Sequence, residues 1–196
     1  MEIRNLIGME FMDGENMLKI VEVKKEEENI ILVTETLKNK EIKTEIKKYS
    51  FSEQSLNMFK NVHPNLVKIM KVAIENSPFD FRITAGARTA EEQNALYQIG
   101  RTRAGNKVTN ADGYRNKSNH QIKADGYGYA VDIFICGKYD EQGNYIKFNT
   151  TEGYDFKKLK AVADHIKSIA KTKGYKVEWG GDWKAGWDSP HFELKS

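Results

Sequence analysis

The stretch YAVDIF, residues 129–134, sets the hardest condition on any fold this chain can adopt. Its apolar, β-branched pattern demands a buried strand, yet Asp132 stands in the middle of it. Burying a lone carboxylate costs several kcal/mol. The fold must therefore turn that residue to water or bring a cation to it, and a metal ion is one such cation.

The rest of the chain is large enough to do so. At 196 residues it suits one good-sized domain, or a domain with a small appendage. Hydrophobic residues make up 39% and charged residues 30%, the balance of a globular protein with a real core. Cys136 is the single cysteine, so no intrachain disulfide staples the fold. It reads as a buried small hydrophobe. No stretch approaches the ~18 apolar residues of a membrane helix, and no membrane partner is expected. The N-terminal MEIRNLIGMEFMDGEN lacks the basic start and apolar core of a secretory signal. Charge is uneven: residues 1–56 carry 9 basic and 12 acidic side chains, residues 57–196 carry 22 and 16. The basic excess is diffuse, without the Arg/Lys runs or interleaved aromatics of a nucleic-acid module, and no nucleic-acid partner is expected. It fits either ordinary surface charge or an anionic polymer as partner.

Periodicity divides the chain. LIGMEFM, MLKIVEVKK, NIILVTETL and EIKTEIKKYSF read as short strands separated by DGEN, EEEN and KNKE turns. Residues 1–52 are thus expected to form a small β module, either SH3-like or a β extension of the main domain. From residue 53 the pattern becomes mixed. A helix begins near Pro64, with Leu66, Ile69, Met70, Val72, Ala73 and Ile74 on a broad apolar face. FDFRITAGAR is a strand and turn. TAEEQNALYQIG is a helix with Thr89 and Glu92 at capping-box spacing and Gly100 as its stop. Residues 101–120 form a long polar loop, of the kind that carries function. YAVDIFICG is the buried strand and YDEQGNYIKF a hairpin. A strong amphipathic helix comes next, its stripe formed by Phe156, Leu159, Val162, Ala163, Ile166, Ile169 and Ala170 and its end marked by Gly174. A strand, a Gly/Trp loop and the strand HFEL close the chain. Residues 53–196 are therefore expected to be one α+β domain.

Of four histidines, His63 reads as a polar residue at a helix start and His165 as a boundary residue. His120 and His191 each stand where a loop meets a strand, and each has carboxylates nearby: Asp132 after the first, Asp188 before the second. Two imidazoles and one carboxylate make an open zinc site with its fourth position left for water. Glu193, two residues past His191, points to the same strand face and competes with Asp188 as a base, or supports the site from behind. Trp179, Trp183 and Trp187, with Tyr127 and Tyr129, either wall a peptide groove or pack the core.

SNH and GYAVD together resemble the SxHxxGxAxD motif of the zinc D-Ala-D-Ala carboxypeptidase and L-alanyl-D-glutamate endopeptidase family, which includes VanY-type enzymes and phage endolysins. ITAGARTAEEQNALYQIGRTRAG resembles its TxGxR(S/T)xxxQ block, and WGGDWKAGWDSPHFEL its C-terminal block. The resemblance covers residues 60–196 and implies the small antiparallel α+β fold shared with the hedgehog signalling domain. It makes His120, Asp132 and His191 the ligands of one zinc ion, Asp188 the general base and Arg88 the cation for the oxyanion. Ser118 matches the motif's first position, a supporting hydrogen bond beside the substrate, and Trp183 and Tyr129 are taken from the aromatic set above as substrate-side residues. One departure is plain: Asp132 lies twelve positions after His120, five more than the motif has. Asp125 is the rival ligand, but it sits in the turn-like KADGYG, whereas Gly128, Ala130 and Asp132 keep the alternate spacing of a strand face. The expected substrate is bacterial peptidoglycan, cut at L-Ala–D-Glu. Release of terminal D-Ala, or zinc-assisted wall binding without catalysis, are the alternatives. The expected protein is a monomer encoded by a phage or prophage and held in the cytoplasm until the wall is reached.

Overall fold

The computed structural model describes residues 10–13, 16–26, 29–36, 41–46, 49–184 and 188–195. The chain divides into two compact units, Met1–Lys48 and Tyr49–Ser196.

The first unit contains an antiparallel meander of β1 (Glu10–Asp13), β2 (Asn16–Glu26), β3 (Asn29–Thr36) and β4 (Glu41–Ile46), hydrogen-bonded in that order. Leu6 to Met9 of the first expected strand lie outside the described residues. A bulge between Ile20 and Glu22 shifts the register of β2 on β3. Ile20 and Leu32 are buried, with Val23 against them. Residues 49–52, read from sequence as the end of this β segment, belong instead to the second unit. Tyr49 stacks on Tyr139 and accepts a hydrogen bond from its backbone N–H, Phe51 packs edge-on to Phe59 and Phe81, and Ser52 caps the first helix.

The second unit runs α1 (Glu53–Asn57), α2 (Pro64–Glu75), β5 (Asp80–Ala85), α3 (Ala90–Gln98), β6 (Ala130–Tyr139), β7 (Tyr145–Lys147), α4 (Thr150–Gly153), α5 (Phe156–Thr172), β8 (Lys176–Trp179) and β9 (His191–Lys195). Its strands form one antiparallel sheet in the order β5-β6-β9-β8, with β7 also paired to β6. The local signals act as chemistry requires. Pro64 opens α2 behind the His63 cap, Thr89 and Glu92 close a complete capping box on α3, and Gly174 takes a positive φ after α5. One expected stripe residue departs: Phe156 is exposed, because it lies in the first turn, where its ring leans on Trp179 rather than entering the core. Cys136 is only partly buried, since its side of β6 faces away from the core.

Leu66, Ile69, Met70, Ala73 and Ile74 of α2 and Leu159, Val162, Ala163, Ile166 and Ala170 of α5 bury their faces in one core. The sheet contributes Val131, Ile133 and Ile135 to it. Strand alternation answers the problem posed by YAVDIF: those three point into the core, so Asp132 points out of the opposite face. There β6 pairs Asp132 with Ala85 of β5 on one side and His191 of β9 on the other. A register shift between Ile83 and Ala85 lies beside it, a common feature next to functional sites.

The segment before β6 depends on Gly128. Its N–H donates to Asn61 and its carbonyl accepts from His63. A Cβ there would collide with the His120 carbonyl oxygen and crowd Ala87. Gly128→Ala is therefore expected to destabilise the unit by about 1–3 kcal/mol through overpacking. That corresponds to a fall in thermal midpoint of roughly 3–10 °C by calorimetry.

Candidate metal centre

Two strands and one loop build the site. Asp132 comes from β6 and His191 from the first residue of β9, directly across from it. His120 comes from the long loop, which is locked against the segment after β5. Arg88 N–H donates to the His120 carbonyl and Ile122 N–H to the Arg88 carbonyl, each at 2.9 Å. Ser118 Oγ accepts from the His120 N–H at 3.3 Å and so shapes the turn presenting the imidazole. His191 is held by its N–H to the Asp188 carbonyl and by Ile133 N–H to the Pro190 carbonyl, both 3.0 Å. A Cβ on Gly180 would strike that same Asp188 carbonyl, so the glycine permits the approach.

The side chains converge on one point. His120 Nε2 lies 3.1 Å from both Asp132 Oδ1 and His191 Nδ1, and the last two are 3.2 Å apart. Between neutral rings, hydrogen bonding alone does not account for this triangle. His120 Nδ1 is 2.8 Å from the Gly86 carbonyl, which only accepts, so that nitrogen carries the hydrogen. His191 Nε2 is 3.2 Å from Glu193 Oε2, which takes the second ring hydrogen. In the neutral rings the facing atoms are then two bare lone pairs beside a carboxylate oxygen. Such an arrangement is repulsive unless positive charge occupies its centre. Donors of a tetrahedral ion with bonds of ~2.0–2.1 Å are about 3.3 Å apart, close to this spacing. The three residues can thus hold a metal ion, and the far nitrogen of each ring is anchored as metal-binding histidines require.

Electrostatics agree. Burial pushes the Asp132 carboxyl up, but His120 and His191 beside it override burial and hold it well below the usual carboxylate range. Burial pushes the His191 imidazole down, and its bonds to Asp132 and Glu193 reverse that, raising it to about 9. Both directions describe a centre that favours positive charge. Glu193 is itself opposed by burial, but His191, Lys195 and Asn119 bring it down to about 2. Burial raises the Asp188 carboxyl, partly countered by His191.

A cavity of about 520 Å³ opens over the triad. Arg88, Ser118, Trp183 and Asp188, all singled out from sequence, line it together with His120, Asp132 and His191. Trp183 lies with its ring 5.2 Å from that of His191. Arg88 makes no pair with Glu91 or Glu92. Its Nη2 donates to Asp132 Oδ2 at 3.2 Å and its Nη1 to Gln93 Oε1 at 3.0 Å.

The remaining residues singled out from sequence lie elsewhere. Tyr129 is not a wall of this cavity: it alternates with Ala130 and Asp132, so its ring falls on the other face, near His63, with its hydroxyl donating to Asp125 Oδ2. Tyr127 lies there too, its ring against His63. Asp125 accepts from the Tyr127 N–H and the Tyr129 hydroxyl in an exposed turn, away from the triad. Trp179 is core, and its indole N–H pins the Ser189 carbonyl. Trp187 lies outside the described residues. His63 caps α2 and His165 bonds the Ala73 carbonyl.

Gln93 and Asn119 escaped the sequence reading. Gln93 is fully buried, accepts from Arg88, and donates to Thr109 Oγ1 and the Ala111 carbonyl, tying the cavity loop to α3. Asn119 donates to Glu193 Oε2 at 2.6 Å. The signal for Gln93 was available, because it closes the TxGxR(S/T)xxxQ block.

Residues 47–194 match the family model described as phage L-alanyl-D-glutamate peptidase. The peptidoglycan L-alanyl-D-glutamate endopeptidase CwlK of Bacillus subtilis (strain 168) is 37% identical over 145 residues, 72% of this chain and 78% of that protein. The L-alanyl-D-glutamate peptidase of Escherichia phage T5 is 28% identical over 150 residues, 75% of this chain and 90% of that protein. In fold, the crystal structure of the Serratia marcescens L-Ala D-Glu endopeptidase ChiX matches 76% of this chain and 92% of its own with a TM-score of 0.53 at 24% identity. No helix among the described residues is long and apolar enough to cross a membrane. With its model spanning most of the chain and a curated relative well above 30% identity, the chain belongs to the phage L-alanyl-D-glutamate peptidase family.

Proposed function

We propose that this protein is a zinc-dependent endopeptidase that hydrolyses the L-alanyl–D-glutamate bond in the peptide stem of bacterial peptidoglycan. The observation that carries the reading is the triangle of His120 Nε2, Asp132 Oδ1 and His191 Nδ1 at the floor of a cavity that also holds Asp188 and Arg88. Zinc is the ion that two imidazoles and a carboxylate favour, and when bound it supplies Lewis acidity and acidifies water to a pKa of about 7.

The chain's own groups supply the rest. Asp188 accepts a proton from the attacking water at its carboxylate and returns it to the departing nitrogen. Arg88 holds the outer oxygen of Asp132 and presents its remaining donors to charge growing on the carbonyl oxygen. Ser118 and Trp183, both in the cavity wall, bound the substrate. Glu193 keeps the His191 Nε2 hydrogen in place, so that Nδ1 stays free as a donor. The fold of residues 49–196 is assigned to the class shared with the hedgehog signalling domain, supported by its antiparallel sheet with a His-Asp-His group on one face. Similarity to a phage protein supports a phage or prophage origin.

The test is digestion of defined muropeptides followed by mass spectrometry. New termini are expected at alanine and glutamate, abolished by a chelator and restored by zinc. Release of terminal D-alanine alone would replace this reading with a carboxypeptidase. Binding without cleavage in the presence of zinc would replace it with a wall-binding module.

A further inference from the structure

We propose that Lys117 is a specificity-determining residue that reads the free carboxylate of the glutamyl residue on the leaving side of the scissile bond, an inference resting on the endopeptidase function. Among the described residues, five carboxylate, guanidinium or ammonium side chains line the cavity: Arg88, Lys117, Asp132, Asp188 and Glu193. Three are already engaged. Arg88 and Asp132 pair at 3.2 Å, while Glu193 is held by His191 at 3.2 Å and by Lys195 at 2.5 Å. Asp188 is taken by the proton-transfer role. Among the described residues Lys117 has no carboxylate partner, and it leaves the cavity with one uncommitted cation.

Substrate chemistry asks for such a group. A glutamyl residue inside a peptide contributes its amine to the bond being cut and one carboxyl to the onward chain. Its second carboxyl stays free and ionised, a few bonds from the scissile nitrogen. Lys117 is well placed to meet it. It precedes His120 by three residues, so their Cα atoms are at most about 11 Å apart. The intervening turn is fixed by Ser118, which accepts the His120 N–H. The ammonium is a compact charge on a flexible stem, suited to a carboxylate whose exact position varies with the rest of the stem peptide. Arg88 is committed elsewhere: it bonds Gln93 and Asp132, and its remaining donors are assigned to the carbonyl oxygen of the scissile bond.

The experiment compares two synthetic peptides, one with the free glutamyl carboxylate and one with that group as a carboxamide. The zinc-loaded full chain is expected to favour the carboxylate by about fivefold in kcat/KM, the size of an exposed ion pair. That preference should shrink as salt is raised. K117R should keep it, K117M should cut the two peptides at equal rates, and K117E should favour the carboxamide. Equal cleavage of both peptides by the unsubstituted protein, or an undiminished preference in K117M, overturns the assignment and leaves the endopeptidase reading standing. If the unsubstituted protein cuts neither peptide, the endopeptidase reading falls and this inference falls with it.

Discussion

Replacing His120 by alanine is expected to strip the protein of its metal and of all measurable hydrolysis. The imidazole supplies one of three converging donors, and it is almost wholly buried. Alanine removes the Nε2 donor and orphans the Gly86 carbonyl that the ring serves. The remaining pair, Asp132 and His191, cannot close a coordination sphere alone. Bound zinc after dialysis should fall from about one per chain to near zero, and kcat/KM by more than about a thousandfold. Elemental analysis with circular dichroism separates ligand loss from unfolding. Asp125→Ala is the matching control and should retain zinc, because its carboxylate serves Tyr127 and Tyr129 in an exposed turn. Retention of zinc by His120→Ala, or its loss in Asp125→Ala with the fold intact, would overturn the ligand assignment.

The same geometry shows how the chain tolerates a carboxylate in a strand. Asp132 is only partly buried, and each oxygen has its own partners. Oδ1 faces the two imidazoles, while Oδ2 accepts from Arg88 at 3.2 Å. Removing one partner of such a cluster leaves an uncompensated charge, which is why its members are expected to fail together rather than additively.

Much of this was legible in the sequence, and the division between what could and could not be read reflects the range of the interactions. Helix ends and strand faces are set by neighbours a few residues away. Hence Pro64, the Thr89–Glu92 box, Gly174 and the placing of Asp132 opposite Val131, Ile133 and Ile135 could all be read from local pattern. The same alternation excludes Tyr129 from the cavity, although its aromatic ring suits a groove wall. What escaped depends on contacts between distant segments. Nothing near Arg88 in sequence reveals that its fork lands on Asp132, forty-four residues away. Nothing near Trp179 shows that its indole fills the core and holds Ser189. The lengthened loop has a similar explanation. Ser118 to Gln121 is pinned by Arg88, Gly128 to Asp132 by Asn61 and β9, and the Tyr129 N–H ties the two segments together at the Asn119 carbonyl. The added residues bulge outward in the exposed turn around Asp125 and leave the ligand positions undisturbed.

Asp188→Asn is expected to separate metal binding from turnover. The side chain lines the cavity but lies outside the three-residue metal group. Its backbone carbonyl supports the His191 N–H at 3.0 Å, and asparagine preserves that bond and the side-chain volume. Zinc content should therefore remain near that of the unsubstituted protein. The amide cannot take up a proton at the attack step, so kcat should fall by about 10²- to 10⁴-fold with little change in KM. Glu193 is no adequate replacement. Its Oε2 already accepts from His191 and Asn119, and its Oε1 is paired with Lys195. Glu193→Gln should thus be milder in turnover and instead weaken zinc retention, roughly 10- to 100-fold in affinity. The two variants form an opposed pair, one losing chemistry while keeping metal and the other losing metal before chemistry. If Asp188→Asn sheds zinc as His120→Ala does, Asp188 is a ligand. If it keeps full turnover, the proton passes through another group and the general-base role must be reassigned.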